Sequence, residues 1–132
     1  MEQTPAFQQK TILVVDDQPE LLRAVSGFLS ATNEFVVLTA TSGDDGLARS
    51  RAYMGDIALL LSDFQMPGMN GMELATAITL ERPDIRVLLM SGFPAGMLVL
   101  NEGWHFLAKP FIPSQLRALV VGLVYPDRKS KF

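Results

Sequence analysis

The sequence predicts an α/β fold, a single doubly wound domain with a five-stranded parallel sheet and five helices. Three observations carry this reading. Short runs rich in Val, Ile and Leu recur along the chain, stretches with a helical apolar period lie between them, and Pro and capping residues fall at the junctions. A length of 132 residues corresponds to about one domain of ~150 residues. With 48% apolar and 19% charged residues, the chain is an ordinary packed globule, which excludes disordered, collagen-like and coiled-coil classes. A chain of this size buries roughly two thirds of its unfolded surface, so neither disulfide nor structural metal is needed for stability.

The elements follow in order. TILVVDD is the first strand, and Leu21, Leu22, Val25, Phe28 and Leu29 then repeat at helical spacing, with Pro19 in a first turn that tolerates it. FVVLTA is the second strand, and Ser42 caps the helix after it. IALLLSDF is the third; Leu74, Ala75 and Ile78 mark the next helix, and Pro83 follows its end. RVLLMSG and HFLAKP are the fourth and fifth strands, and Leu116, Leu119, Val120 and Leu123 line the last helix. Apolar runs this continuous belong to strands covered on both faces. Strict alternation of strand and helix implies right-handed crossovers, an architecture that binds ligands beyond the carboxyl ends of its strands. The domain is expected over residues 11–125, with residues 1–10 and 126–132 as tails.

Composition narrows the function classes. The absence of cysteine removes disulfide frameworks, zinc ribbons, thiol nucleophiles and iron–sulfur sites, and suits a reducing compartment. A net charge of −3 is a poor electrostatic footprint for nucleic acid. There is no signal-like apolar segment and no run near the ~18 residues that span a bilayer, so a cytoplasmic protein without membrane contact is expected. Neither GxxxxGK[ST] nor GxGxxG occurs, which argues against nucleotide binding.

The strand ends carry the chemistry. The first strand finishes in Asp16 and Asp17, the third in Asp63, the fourth in Ser91, and the fifth in Lys109 before Pro110. A lone Asp after a strand is usually a cap or turn residue. In a doubly wound sheet, however, the first and third strands are neighbours at the switch point, which gathers three acids in one cleft. Two carboxylates ~4 Å apart repel by roughly 4 kcal/mol at an effective dielectric near 20, a large share of a small domain's stability. A cation offsets this. With hard oxygen ligands, no Cys and one His, magnesium is favoured over zinc. Lys109 is a second cation, although a lysine at such a place is often only a snorkelling surface residue. Together with the Ser91 hydroxyl, these groups make a site for phosphoryl oxygens next to a candidate carboxylate nucleophile.

The fragments VVDDQPE, SDFQMPGMNGMEL, LLMSGF and FLAKPF, in this order from about Thr11 to Val124, resemble the receiver domain of two-component response regulators. The segment around Asp63, with Met66, Pro67, Met69 and Gly71, is the most specific. The resemblance implies a flavodoxin-like sheet in the order 2-1-3-4-5, and Asp63 as the phosphoacceptor, phosphorylated by a partner histidine kinase or histidine phosphotransfer protein. It implies Mg2+ held by Asp17, by Asp16 directly or through water, by Asp63, and by the main-chain carbonyl of Gln65. Ser91 and Lys109 would bind the phosphoryl group, and a cis bond before Pro110 would aim Lys109 inward. Ser91 and Phe106 would form the switch pair that moves on phosphorylation; for Phe106 plain strand packing is the competing reading. Trp104 alternates onto the same face as Phe106, as a core or interface residue, and His105 points the other way as a surface or packing residue.

Two departures and two competing functions complete the reading. The stretch from Ser91 to Lys109 is short for the family, so the fourth helix is expected to be shortened, and it contains Pro94 and Gly96. Four consecutive apolar residues, Met97 to Leu100, cannot all face inward. They make the face of the fourth helix, fifth strand and fifth helix a candidate surface for a protein partner or dimer. Phe93, two positions beyond Ser91, is expected to exclude water from the acyl phosphate. A magnesium phosphohydrolase with an aspartate nucleophile is the competing enzyme, but such enzymes place an acid two residues after the nucleophile, where this chain has Gln65. A receiver used only for binding is the other alternative, and the retention of mutually repelling acids argues against it. The expected protein is thus a phosphorylation switch and not a turnover enzyme, either free-standing or part of a hybrid kinase.

Overall fold

The computed structural model describes residues 9–92 and 103–126. In chain order the elements are β1 (Lys10–Val15), α1 (Pro19–Ser30), β2 (Phe35–Ala40), α2 (Gly43–Ala52), β3 (Leu59–Asp63), α3 (Gly71–Glu81), β4 (Arg86–Ser91), β5 (Trp104–Ala108) and α4 (Pro113–Val124). The strands form one parallel sheet in the order β2-β1-β3-β4-β5, as expected. Among the described residues there are four helices. The expected fourth helix, with Phe93, Pro94, Gly96 and the apolar run from Met97 to Leu100, lies outside the described residues. The expected fifth helix is therefore α4.

The strands carry continuous apolar runs because each serves two cores. Ile12, Val14, Leu59, Leu61, Leu88 and Met90 pack with Leu22, Val25 and Leu29 of α1 and with Leu116, Val120 and Val124 of α4. The alternate residues Leu13, Val15, Leu60, Val87 and Leu89 pack with Leu74, Ala75 and Ile78 of α3. This is the period of two required of a sheet with helices on both sides. Each fully buried Leu contributes roughly 1.5–3 kcal/mol, so the central strands anchor the fold.

The helix ends follow the expected punctuation. Pro19 and Pro113 open α1 and α4, and the Ser42 Oγ accepts a hydrogen bond from Asp45 N at 3.0 Å. α3 starts with a capping box. Its Asn70 side chain accepts from Glu73 N at 2.8 Å, and the Glu73 carboxylate accepts from Asn70 N at 2.9 Å. After α3, the Arg82 guanidinium donates to the carbonyls of Ser50, Tyr53 and Gly55, each at 2.9 Å, and ties α3 to the end of α2. On the other face, Arg117 of α4 pairs with Glu34, and Tyr125 donates to the Glu34 carbonyl at 3.1 Å. Among the described residues, no helix is long and apolar enough to cross a membrane.

Candidate functional site

The topology brings the chain's acids to one edge. β1 and β3 are neighbours with Val15 opposite Ser62, so Asp16 and Asp17 leave β1 beside Asp63 at the end of β3. One carboxylate oxygen from each of Asp16, Asp17 and Asp63 lies within 4.8 Å of the others. Asp16 is wholly buried, Asp63 is 7% exposed, and Asp17 is half-buried. The Asp16 Oδ1 accepts from Gln18 N at 2.9 Å, while its Oδ2 is buried without a hydrogen bond.

Lys109 supplies the positive charge. It follows β5, its backbone N donates to the Ser91 carbonyl at 2.7 Å, and the Lys109–Pro110 bond is cis. Its Nζ donates to Asp63 Oδ1 at 3.0 Å and stands 3.9 Å from Asp16 Oδ2. Lys109 is therefore no snorkelling surface residue. Ser91 is buried at the end of β4, with Ala108 opposite it and Asp63 opposite the preceding Met90. Phe106 is half-buried in β5 opposite Leu89, and Trp104 packs against the α3-side core. His105 is half-buried on the alternate side, opposite Leu88. Gln65 is exposed two residues past Asp63, in the loop that leads to α3.

Glycines let that loop pass close to its neighbours. A Cβ on Gly43, the first residue of α2, would lie 2.7 Å from Met69 Cβ. A Cβ on Gly71, the first residue of α3, would lie 2.3 Å from the carbonyl oxygen of Asp63. Gly71 N also donates to the Phe64 carbonyl at 2.9 Å. Sequence reasoning missed Ser62. It is fully buried, and its hydroxyl donates to the Asp63 carbonyl at 2.9 Å. The available signal was a hydroxyl closing an otherwise apolar strand directly before the acid.

Burial pushes the Asp16 carboxyl above its ordinary value, the Gln18 N–H opposes this, the Asp63 charge adds to it, and Lys109 and Asp17 act in opposite directions after these. A carboxyl whose folded value is raised binds protons more tightly in the native than in the unfolded chain. Stability contributed by this group is therefore greatest below the unfolded value of 3.8 and declines as pH rises through the folded one. For the metal-free protein we expect Asp16→Asn to raise stability at neutral pH by about 1–2 kcal/mol and to flatten this pH dependence. Urea unfolding at several pH values measures both, and a less stable Asn variant at neutral pH contradicts it.

The donor set fits a hard divalent cation. Three carboxylate oxygens converge, and Asp16 also has a buried oxygen without a hydrogen bond, a need that a cation would satisfy.

An open parallel sheet whose carboxyl edge unites three aspartates with a lysine is the arrangement expected of a receiver domain. Residues 12–121 match the family model for the response regulator receiver domain, and the chain belongs to that family. It is 31% identical over 114 residues to the hydrogenase transcriptional regulatory protein HoxA of Cupriavidus necator, covering 83% of this chain and 23% of that protein. It is 30% identical over 127 residues to the hybrid signal transduction histidine kinase D of Dictyostelium discoideum, covering 92% of this chain and 8% of that protein. The chain thus spans a quarter or less of these relatives, and the family's receivers occur in response regulators and in hybrid histidine kinases alike. Among solved structures, a CheY-like receiver domain protein from Methanospirillum hungatei superposes with a TM-score of 0.80 at 25% identity, covering 93% of this chain and 99% of that one. The receiver domain of the hybrid histidine kinase CckA gives 0.73 at 29% identity, covering 86% and 98%.

Proposed function

We propose that this receiver accepts a phosphoryl group on Asp63 from a histidine kinase or histidine phosphotransfer protein, with Mg2+ bound by Asp16, Asp17, Asp63 and the Gln65 carbonyl. The single observation that supports this best is the 3.0 Å contact between Lys109 Nζ and Asp63 Oδ1 inside the cluster of acids. A carboxylate oxygen of Asp63 attacks phosphorus, the P–N bond of the phosphohistidine breaks, and its electron pair leaves with the imidazole, which takes up a proton. Lys109 orients the Asp63 carboxylate beforehand and then neutralises a phosphoryl oxygen, and the buried Ser91 hydroxyl binds another. Mg2+ supplies charge neutralisation for the phosphoryl oxygens and the acids.

In this reading Ser91 and Phe106 form the switch, the domain runs over residues 11–125, and β5 with α4 and the segment before β5 offers the partner or dimer surface. The protein works in the cytoplasm without contacting nucleic acid, as a free-standing regulator or as a module of a hybrid kinase. It is a switch and not a turnover enzyme. Acetyl phosphate with Mg2+ is expected to load about one phosphoryl per chain, which then decays slowly. Intact mass and released phosphate, followed together, check this. Release of many equivalents per chain points to the phosphohydrolase instead.

A further inference from the structure

We propose that Ser62 is a positioning residue that fixes the main chain of Asp63 and so sets how fast that carboxylate takes phosphorus; this rests on the reading of Asp63 as acceptor. Ser62 is wholly enclosed, opposite Val15 of β1 and Leu89 of β4, where a polar side chain needs a partner. The partner it takes is the carbonyl of the next residue, Asp63, at 2.9 Å. The same carbonyl is closely approached by Gly71, whose Cβ, if present, would stand 2.3 Å from it. The oxygen is thus held between a hydroxyl donor and the first residue of α3. This fixes the peptide plane between Asp63 and Phe64. The side chain of Asp63 springs from one end of that plane, and the loop bearing Gln65 leaves from the other. The hydrogen bond therefore governs both the aim of the acid at Lys109 and the start of the loop proposed to complete the cation site. Misplacing a reacting group by a fraction of an ångström is costly in rate even where the fold survives.

The test uses three variants of the full chain. Ser62→Cys keeps the volume with a weak donor, Ser62→Thr restores a hydroxyl, and Asp63→Asn controls for the acceptor. Phosphoryl uptake from acetyl phosphate at saturating Mg2+ is timed by intact mass, Mg2+ affinity is measured by calorimetry, and thermal melts report stability. We expect Ser62→Cys to take up phosphoryl about tenfold more slowly at a similar Tm, to bind Mg2+ several-fold more weakly, and Ser62→Thr to recover most of both. Wild-type rate and affinity in Ser62→Cys overturn the proposal. So does a Thr variant that melts like wild type yet labels as slowly as the Cys variant. Should wild type take up no phosphoryl, or Asp63→Asn take up as much, it is the acceptor reading that fails, and the role of Ser62 with it.

Discussion

Gly71→Ala is expected to destabilise the protein by about 2–3 kcal/mol, which for a domain of this size lowers Tm by roughly 6–10 °C. In an exposed helix the same change would gain about 1 kcal/mol, because alanine is the better helix former. Here the contact decides the sign. The added methyl would lie 2.3 Å from the Asp63 carbonyl oxygen, 3.0 Å from Phe64 Cα and 3.1 Å from the Asp63 carbonyl carbon. All three are backbone atoms, so no side-chain rotation relieves the overlap, and either α3 or the end of β3 must move. Movement of β3 also displaces Asp63 from Lys109, so phosphoryl uptake falls with stability. Thermal melts measure the first effect and timed labelling the second. A variant that melts above wild type would show that the start of α3 does not press on the acid.

Asp63→Asn separates chemistry from stability. The amide has no carboxylate oxygen to form an acyl phosphate, so labelling should vanish. The cluster of three acids and Lys109 meanwhile loses one negative charge, and the mutual repulsion of the remaining acids shrinks. Lys109 retains Asp16, 3.9 Å away, as a partner. Without Mg2+ the variant is therefore expected to be more stable than wild type by about 1 kcal/mol, and saturating Mg2+ should stabilise it less. Denaturant titrations with and without Mg2+ read both differences. A variant that is destabilised without Mg2+ would mean that the Lys109 bond outweighs the repulsion.

The fold was legible because the central strands carry continuous apolar runs of three to four residues, as a sheet covered on both faces demands, and because Pro19, Ser42 and Pro83 mark helix boundaries that the structure keeps. The site was legible for a related reason. The residues at the carboxyl ends of β1, β3 and β5 are charged, while the middles of those strands are not, so topology alone brings Asp16, Asp17, Asp63 and Lys109 together. Ser62 and the close approach at Gly71 were less visible. A serine within an apolar run does not announce its acceptor, and a glycine in a motif does not reveal which atom it must not touch. Val124 was also missed as a core residue of α4, since the apolar period there runs through several residues that lie only half-buried. The orphaned Oδ2 of Asp16 depends on three-dimensional enclosure that no spacing encodes.

The central claim is that Asp63 carries the phosphoryl group in a cation-dependent way. Reductive trapping with borohydride after incubation with acetyl phosphate, followed by peptide mapping, tests it most directly. The account predicts one reduced residue, Asp63 converted to homoserine as hydride displaces phosphate from the acyl phosphate, found with Mg2+ and absent when the ion is chelated. Trapping at Asp16 or Asp17, at any residue outside the cluster, or equally well without a divalent ion would contradict it.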